Sequence, residues 1–181
     1  MRPYQTIYHR LNKLFGASEE INGGGRCPTY LFRWTVAQLP FGYKVYLHHF
    51  VGDDWSLDFH DHPKRFISIG LKGWYEEHTP VNDAEMEELA AIVRRMGEGL
   101  PGADLTLEDP ICVTRHTAPW IRTFPAEWRH RICTPSGSCW TLVIVGPSTR
   151  AWGFWHAGKF IPWRQYVFAK GGPADTRKSC P

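Results

Sequence analysis

The sequence predicts a single all-β domain, a sandwich or barrel, with one helix at its N-terminus and one helix inserted between strands. Three observations predict it. Short runs of β-branched and aromatic residues follow one another from Tyr30 to Phe168; Gly, Pro and Asp punctuate them; and 181 residues suffice for one sizeable core but are short for two. About ten short strands fit into this length.

Ile7, Leu11, Leu14 and Phe15 recur at helical spacing and Gly16 follows as a stop, so Tyr4 to Phe15 reads as an amphipathic helix. Asn22-Gly23-Gly24-Gly25 then connects helix to sheet. Strands are expected at Tyr30 to Val36, Tyr43 to Val51, Ser56 to His62, Phe66 to Leu71 and Trp74 to His78, with Pro40-Phe41-Gly42, Gly52-Asp53-Asp54 and Lys72-Gly73 as the breaks. Asn82 and Glu85 form a capping box for a helix whose apolar face is Met86, Leu89, Ala90, Val93 and Met96, ending at Gly97. That helix packs on the outside of the sheet or covers the barrel mouth. Strand signals resume at Ile111 to Thr117, Trp120 to Phe124, Trp128 to Cys133, Cys139 to Val145, Ala151 to Trp155 and Tyr166 to Phe168. Residues 171–181 are polar with two prolines and read as a loose tail.

Composition excludes several classes. Apolar residues at 43% and charged residues at 22% form a core and argue against a disordered or fibrous chain. A net charge of +3 without a block of like charge gives general nucleic-acid binding little support. The longest apolar run, near Leu142 to Val145, is far too short for a membrane span, and Met1 to Phe15 lacks the apolar centre of a signal peptide. A cytoplasmic protein is therefore expected. Five cysteines without a C-x-x-C pair suggest reduced thiols, neither a disulfide framework nor a zinc knuckle. Nine tryptophans are the unusual number, and broad rings either fill a barrel or line a pocket in it.

The chemistry is carried by two short pieces. In Asp58-Phe59-His60-Asp61-His62-Pro63, His60 and His62 sit two apart in an expected strand, so both imidazoles project from one face and can share an ion. Asp61 alternates to the other face. The second piece is Pro125-Ala126-Glu127-Trp128-Arg129-His130.

On these pieces the chain resembles the cupin superfamily. Gly52, His60, His62 and Gly73 stand for the first cupin motif, with a longer gap after the glycine than usual, and Pro125 and His130 are at the separation of the second. The resemblance spans roughly Tyr43 to Val145 and is similar to compact bacterial and phage cupins. It implies a double-stranded β-helix, or jelly-roll barrel, over residues 26–170, preceded by the helix and linker of 1–25 and interrupted by the helical insertion at 83–97. It also implies a metal inside, with His60, His62 and His130 as ligands and catalytic centre. The chain departs from the pattern in three places. Phe66 stands where cupins usually carry a glutamate ligand, and neither Arg65 nor Ile67 replaces it; Glu127 stands for glycine and Thr134 for asparagine. A three-histidine site, as in the thiol dioxygenase branch, fits this pattern, with Glu76 or Glu77 as a displaced acid that could still reach the metal. Imidazoles alone suit iron, zinc, nickel or copper, and the resemblance favours Fe(II). The implied function is a non-haem Fe(II) dioxygenase acting on a small anionic molecule. A non-catalytic ligand-binding cupin and a metal-dependent isomerase or lyase are the alternatives. Pairing of two copies through a sheet edge is a further implication.

Arg150, Trp152 and Phe154 alternate onto one strand face, which sets a guanidinium beside two rings. Arg150 and Trp152 are thus expected either to bind the substrate's anionic group or, in the structural reading, to cap the core. Of the adjacent pair His48 and His49, at most one faces inward. His9, His78, His116 and His156 read as solvated or capping residues.

Overall fold

The computed structural model of the chain describes residues 4–25, 27–81, 111–134 and 137–171. The helix expected at 83–97, and the tail after Gly171, lie outside them. Helix α1 (Gln5–Phe15) is followed by strands β1 (Glu19–Ile21), β2 (Leu31–Gln38), β3 (Lys44–Phe50), β4 (Phe59–His60), β5 (Phe66–Pro80), β6 (Ile111–Thr117), β7 (Trp120–Phe124), β8 (Arg131–Cys133), β9 (Cys139–Val145), β10 (Gly153–His156) and β11 (Lys159–Pro162), and by helix α2 (Trp163–Phe168). No helix among the described residues is long and apolar enough to cross a membrane.

All strand pairs among the described residues are antiparallel. One face runs β1, β2, β3, β9 and the first half of β5, with β7 on the far side of β5. The second half of β5 crosses to the other face, where it pairs with β6 and β8. A bridge between His60 and His130 joins this half to β4, β10 and β11.

The expected strands Phe66 to Leu71 and Trp74 to His78 are one bent strand, because Lys72-Gly73 does not turn the chain back. The register against β9 shifts between Gly70 and Lys72, and Gly73 sits at φ +81°. A Cβ there would lie 2.2 Å from the Ser138 carbonyl oxygen, so the crossing needs glycine twice over. The strand expected at Tyr166 to Phe168 is instead part of α2. Packing overrides local preference here: Tyr166 is fully buried, stacks on Phe154 at 4.1 Å and shares a hydrogen bond with the Ser56 hydroxyl at 2.9 Å.

Helix α1 lays Tyr8 on the outer face of the first sheet, 4.8 Å from Phe32 and 5.3 Å from Trp34. Trp34 Nε1 donates to Asn12 at 2.7 Å, and the Tyr8 hydroxyl meets His49 Nδ1 at 2.6 Å. His49 Nε2 contacts the Ser138 hydroxyl at 2.8 Å, and its ring stacks on Trp140. His49 therefore locks the helix to the sheet, and its neighbour His48 faces inward. Between the two faces, Leu31, Phe50, Tyr75, Ile132 and Cys139 form one apolar cluster, and Trp55, Phe154, Tyr166 and Val167 another. Cys27 is disulfide-bonded, against the expectation of reduced thiols, while Cys112, Cys133 and Cys139 are free. Spacing along the chain is silent on which thiols a fold brings together.

Candidate metal centre

His60 ends β4, and its backbone exchanges two hydrogen bonds with His130, at 2.9 and 3.0 Å. The His62 backbone N–H is tied to the Ala126 carbonyl at 3.0 Å. Two chain segments 70 residues apart are thereby clamped so that three imidazoles converge, with ring centroids 4.9 to 5.1 Å apart. One ligand atom from each histidine lies within 4.8 Å of the others. The three residues singled out in the sequence are brought together.

The donor set fits a cation. Burial holds His60 and His62 far below the usual imidazole range, so both are neutral. His130 Nδ1 bonds the Glu77 carboxylate at 2.5 Å, which makes Nδ1 the protonated nitrogen and leaves Nε2 a lone pair. That Nε2 faces His62 Nε2 at 2.8 Å. Lone pairs at this distance repel unless a proton or a cation lies between them. Imidazole nitrogens sharing one ion at metal–nitrogen bonds of about 2.0–2.1 Å would stand about 2.9–3.4 Å apart, and the His62–His130 pair is close to that separation.

Glu77 is not one of the group. It lies behind His130, and its carboxylate also takes the Trp128 indole N–H at 2.8 Å and His116 Nε2 at 3.0 Å, with Arg122 3.7 Å away. Both oxygens are occupied, so the displaced-acid role expected for Glu77 gives way to that of an anchor. Burial alone would raise its pKa, but the hydrogen bonds from His116, His130 and Trp128 outweigh it and keep the acid ionised. Glu76 points outward to Arg115 at 2.8 Å. His116, expected to be solvated, is buried in this network. Asp54 plays a similar part behind His60: its Oδ2 is 3.6 Å from His60 Nδ1 and accepts the Ile132 N–H at 2.8 Å. Asp54 was not foreseen, since it lies in a stretch that reads simply as a turn.

Phe66 occupies the side where a glutamate ligand was expected to be missing. Its ring sits edge-on to His62 at 4.7 Å and stacks with Phe124 at 4.8 Å. The group opens into a cavity of about 600 Å³, whose lining also includes Phe50, Tyr75, Trp152 and Phe154.

Of the two roles expected for Arg150, its contacts match the structural one. It precedes β10 rather than lying in it, does not line the cavity, and donates to the buried Asp61 at 2.7 Å. Asp61 in turn accepts the Gly153 N–H at 2.8 Å. Because Asp61 is 1% exposed, its charge needs a cation, and Arg150 supplies it. The pair pins the His60–His62 segment to β10 from the face opposite the imidazoles. Trp152 does line the cavity, stacked on Trp163 at 5.6 Å. Arg129 points away, over the Trp155 ring at 4.4 Å. Burial pushes the Cys133 thiol up to about 11 and the Cys139 thiol up to about 12, which leaves no activated thiol nucleophile at either position.

No protein-family model matches the sequence, and no curated protein matches it. Solved structures do. The polyketide cyclase RemF of Streptomyces resistomycificus superposes with a TM-score of 0.50 at 13% identity, over 88% of this chain and 89% of that one. A cupin superfamily protein of Desulfitobacterium hafniense gives 0.38 at 14%, over 65% and 78%, and an uncharacterized double-stranded β-helix protein of Klebsiella pneumoniae gives 0.42 at 13%, over 68% and 83%. At such identities the likeness is one of fold alone, and the superposition on RemF extends it over nearly the whole of both chains.

Proposed function

We propose that the protein is a metal-dependent cupin enzyme, a non-haem Fe(II) dioxygenase acting on a small molecule that brings an anionic oxygen into the barrel. The observation that carries this reading is the convergence of three imidazoles, His60 and His62 held neutral by burial, with no carboxylate among them. When bound, Fe(II) supplies one-electron chemistry with O₂ that no side chain provides. The chain's own contribution is placement and exclusion of water. Glu77 holds His130 in one tautomer, the Asp61–Arg150 pair fixes the segment carrying His60 and His62, and Phe66, Phe124 and Phe154 wall off solvent. Because the chain places no negative charge inside the group, the compensating charge falls to the substrate. A cytoplasmic location and a homodimer belong to the same proposal.

A second reading is favoured by RemF, which shares the fold over nearly its whole length. There the metal would serve as Lewis acid in an isomerase, lyase or cyclase, and a histidine-only set suits zinc equally well. The test is metal analysis of the purified protein, followed by anaerobic loading with Fe(II) and O₂ uptake against a metabolite panel. Expected are one metal per chain, its loss in His130→Ala, and O₂ consumption that requires a substrate. Turnover with Zn(II) and no O₂ uptake would select the Lewis-acid reading. Tight ligand binding without any turnover would leave a binding protein.

A further inference from the structure

We propose that the cavity holds a second polar locus, made by His48 and Thr141, that receives a hydroxyl group of a flat ring compound. The inference rests on reading the cavity as a substrate site and names the class of substrate.

His48 Nε2 and Thr141 Oγ1 are both buried without a hydrogen-bond partner among the described residues. Both residues line the same cavity as the three histidines. They are also directly paired across β3 and β9, so the two residues stand side by side on one stretch of wall, where a change of side-chain rotamer turns the buried polar atoms to a ligand. Buried polar groups in folded proteins are nearly always bonded, and two exceptions side by side on a cavity wall mark a place where a ligand supplies the partner.

The chemistry of the pair selects the ligand group. Burial, with Arg33 beside it, pushes His48 down to about 3, so its imidazole is neutral and offers a single donor or acceptor at Nε2. The Thr141 hydroxyl donates and accepts. A hydroxyl, which does both, completes the pair in either tautomer. A carboxylate is the poorer match, because Arg33, the cation paired with His48 across β2, is already engaged by Glu19 at 2.7 Å. The walls select a ring. Tyr46 and Phe50 flank His48, at 6.0 and 5.8 Å between centroids, and Val143 follows Thr141 on the same face. The substrate class is therefore a phenolic or enolic ring compound bearing a second oxygen for the histidine group.

The probes are naphthol and the isomeric naphthalenediols, titrated by tryptophan quenching into zinc-loaded protein, where zinc prevents oxidation of the ligand by the metal. At least one diol is expected to bind ten times or more tighter than naphthol. Thr141→Val and His48→Phe should each reduce that ratio towards one while still binding naphthol. Thr141→Val should melt at or above the parent temperature, since in the free protein it removes only an unbonded hydroxyl. No diol preference, no binding of either phenol, an unchanged ratio in Thr141→Val, tighter binding of hydroxynaphthoic acids than of the diols, or a clear fall in melting temperature for Thr141→Val would each overturn the proposal. Stripping the metal separates the two readings: it should weaken naphthol and diols alike, and if it does not, the metal reading fails while the diol ratio still reports on His48 and Thr141.

Discussion

Replacing Glu77 with Gln tests the centre most directly, because it keeps the shape and removes only the charge. Three N–H groups converge on this carboxylate, from Trp128 at 2.8 Å, His130 at 2.5 Å and His116 at 3.0 Å. Glutamine can accept from one side, but its amide nitrogen must then face one of the donors. Charge-assisted hydrogen bonds are worth roughly twice neutral ones, so losing the charge costs about 1 kcal/mol at each of three bonds, or about 3 kcal/mol in stability. For a domain of this size that is about 6–12 °C in melting temperature. The effect on the metal is separate. With Nδ1 of His130 no longer held by an anion, its Nε2 is a weaker and less well-aimed donor, and affinity should fall about 10–100-fold, or about 1.4–2.7 kcal/mol.

Chelator competition for Zn(II) or Fe(II) measures the affinity, and a thermal melt measures the stability. Trp128→Phe is the control: it removes one bond to Glu77 without touching His130, so it should lower the melting temperature and leave affinity within a few-fold. A folded Glu77→Gln protein with parental metal affinity would refute the anchoring role. Complete loss of metal from a folded variant would refute it in the other direction and make Glu77 a ligand.

Three further outcomes follow from the geometry. Arg150→Ala leaves the Asp61 charge buried without its cation, so it should lower stability by about 3–5 kcal/mol in denaturant titrations; a stable variant with weakened ligand binding would restore the anion-anchor role. Gly73→Ala places a Cβ against the Ser138 carbonyl at positive φ and should cost about 2 kcal/mol or more by thermal melt, whereas a parental melting temperature would mean that the bend in β5 tolerates it. His49 is fully buried and its pKa is depressed from 6.5 to about 4, so between these values the unfolded chain binds the extra proton. Stability contributed by neutral His49 is complete above pH about 6.5 and is lost as pH falls towards 4, by at most about 1.4 kcal/mol per pH unit. Urea titrations of His49→Gln should show that much less slope in this window, and an unchanged slope would count against the buried neutral imidazole.

How much of this was legible in the sequence depends on the range over which each signal acts. His60 and His62 could be read together because alternation along a strand is local, and His130 because a second short motif marks it. The same alternation correctly turned Asp61 away from the imidazoles, yet it could not reveal that Asp61 is buried and must therefore claim Arg150. Arg150 lies 89 residues on, beside aromatic residues that look like a ligand wall when the strand is read alone. Both roles therefore stay open when the strand is read alone, and the missing information is specific. A guanidinium near a pocket is read as a substrate anchor only while its own counter-ion is unknown, and the counter-ion here sits between the two metal-motif histidines themselves.

The same limit explains Glu77, Asp54, His48 and Thr141. Glu76 and Glu77 are equivalent in the sequence, and only the crossing of β5 at Gly73 decides which one faces the barrel interior. Asp54 reads as a turn residue until the Ile132 N–H and His60 are seen to close over it. For His48 and Thr141 no sequence signal exists at all, because each is an ordinary strand residue and what distinguishes them is a partner that neither has. The site is thus built at two depths. Residues that would meet a metal announce themselves by chemistry and spacing. Residues that would aim those ligands, and those proposed to sort a substrate, are defined by burial and by cross-strand register, which arise only when strands far apart in the chain have paired. Variants at His60, His62 or His130 should accordingly abolish metal binding, whereas variants at Glu77 should grade it and variants at His48 or Thr141 should leave the metal in place and change which ring compounds the cavity accepts.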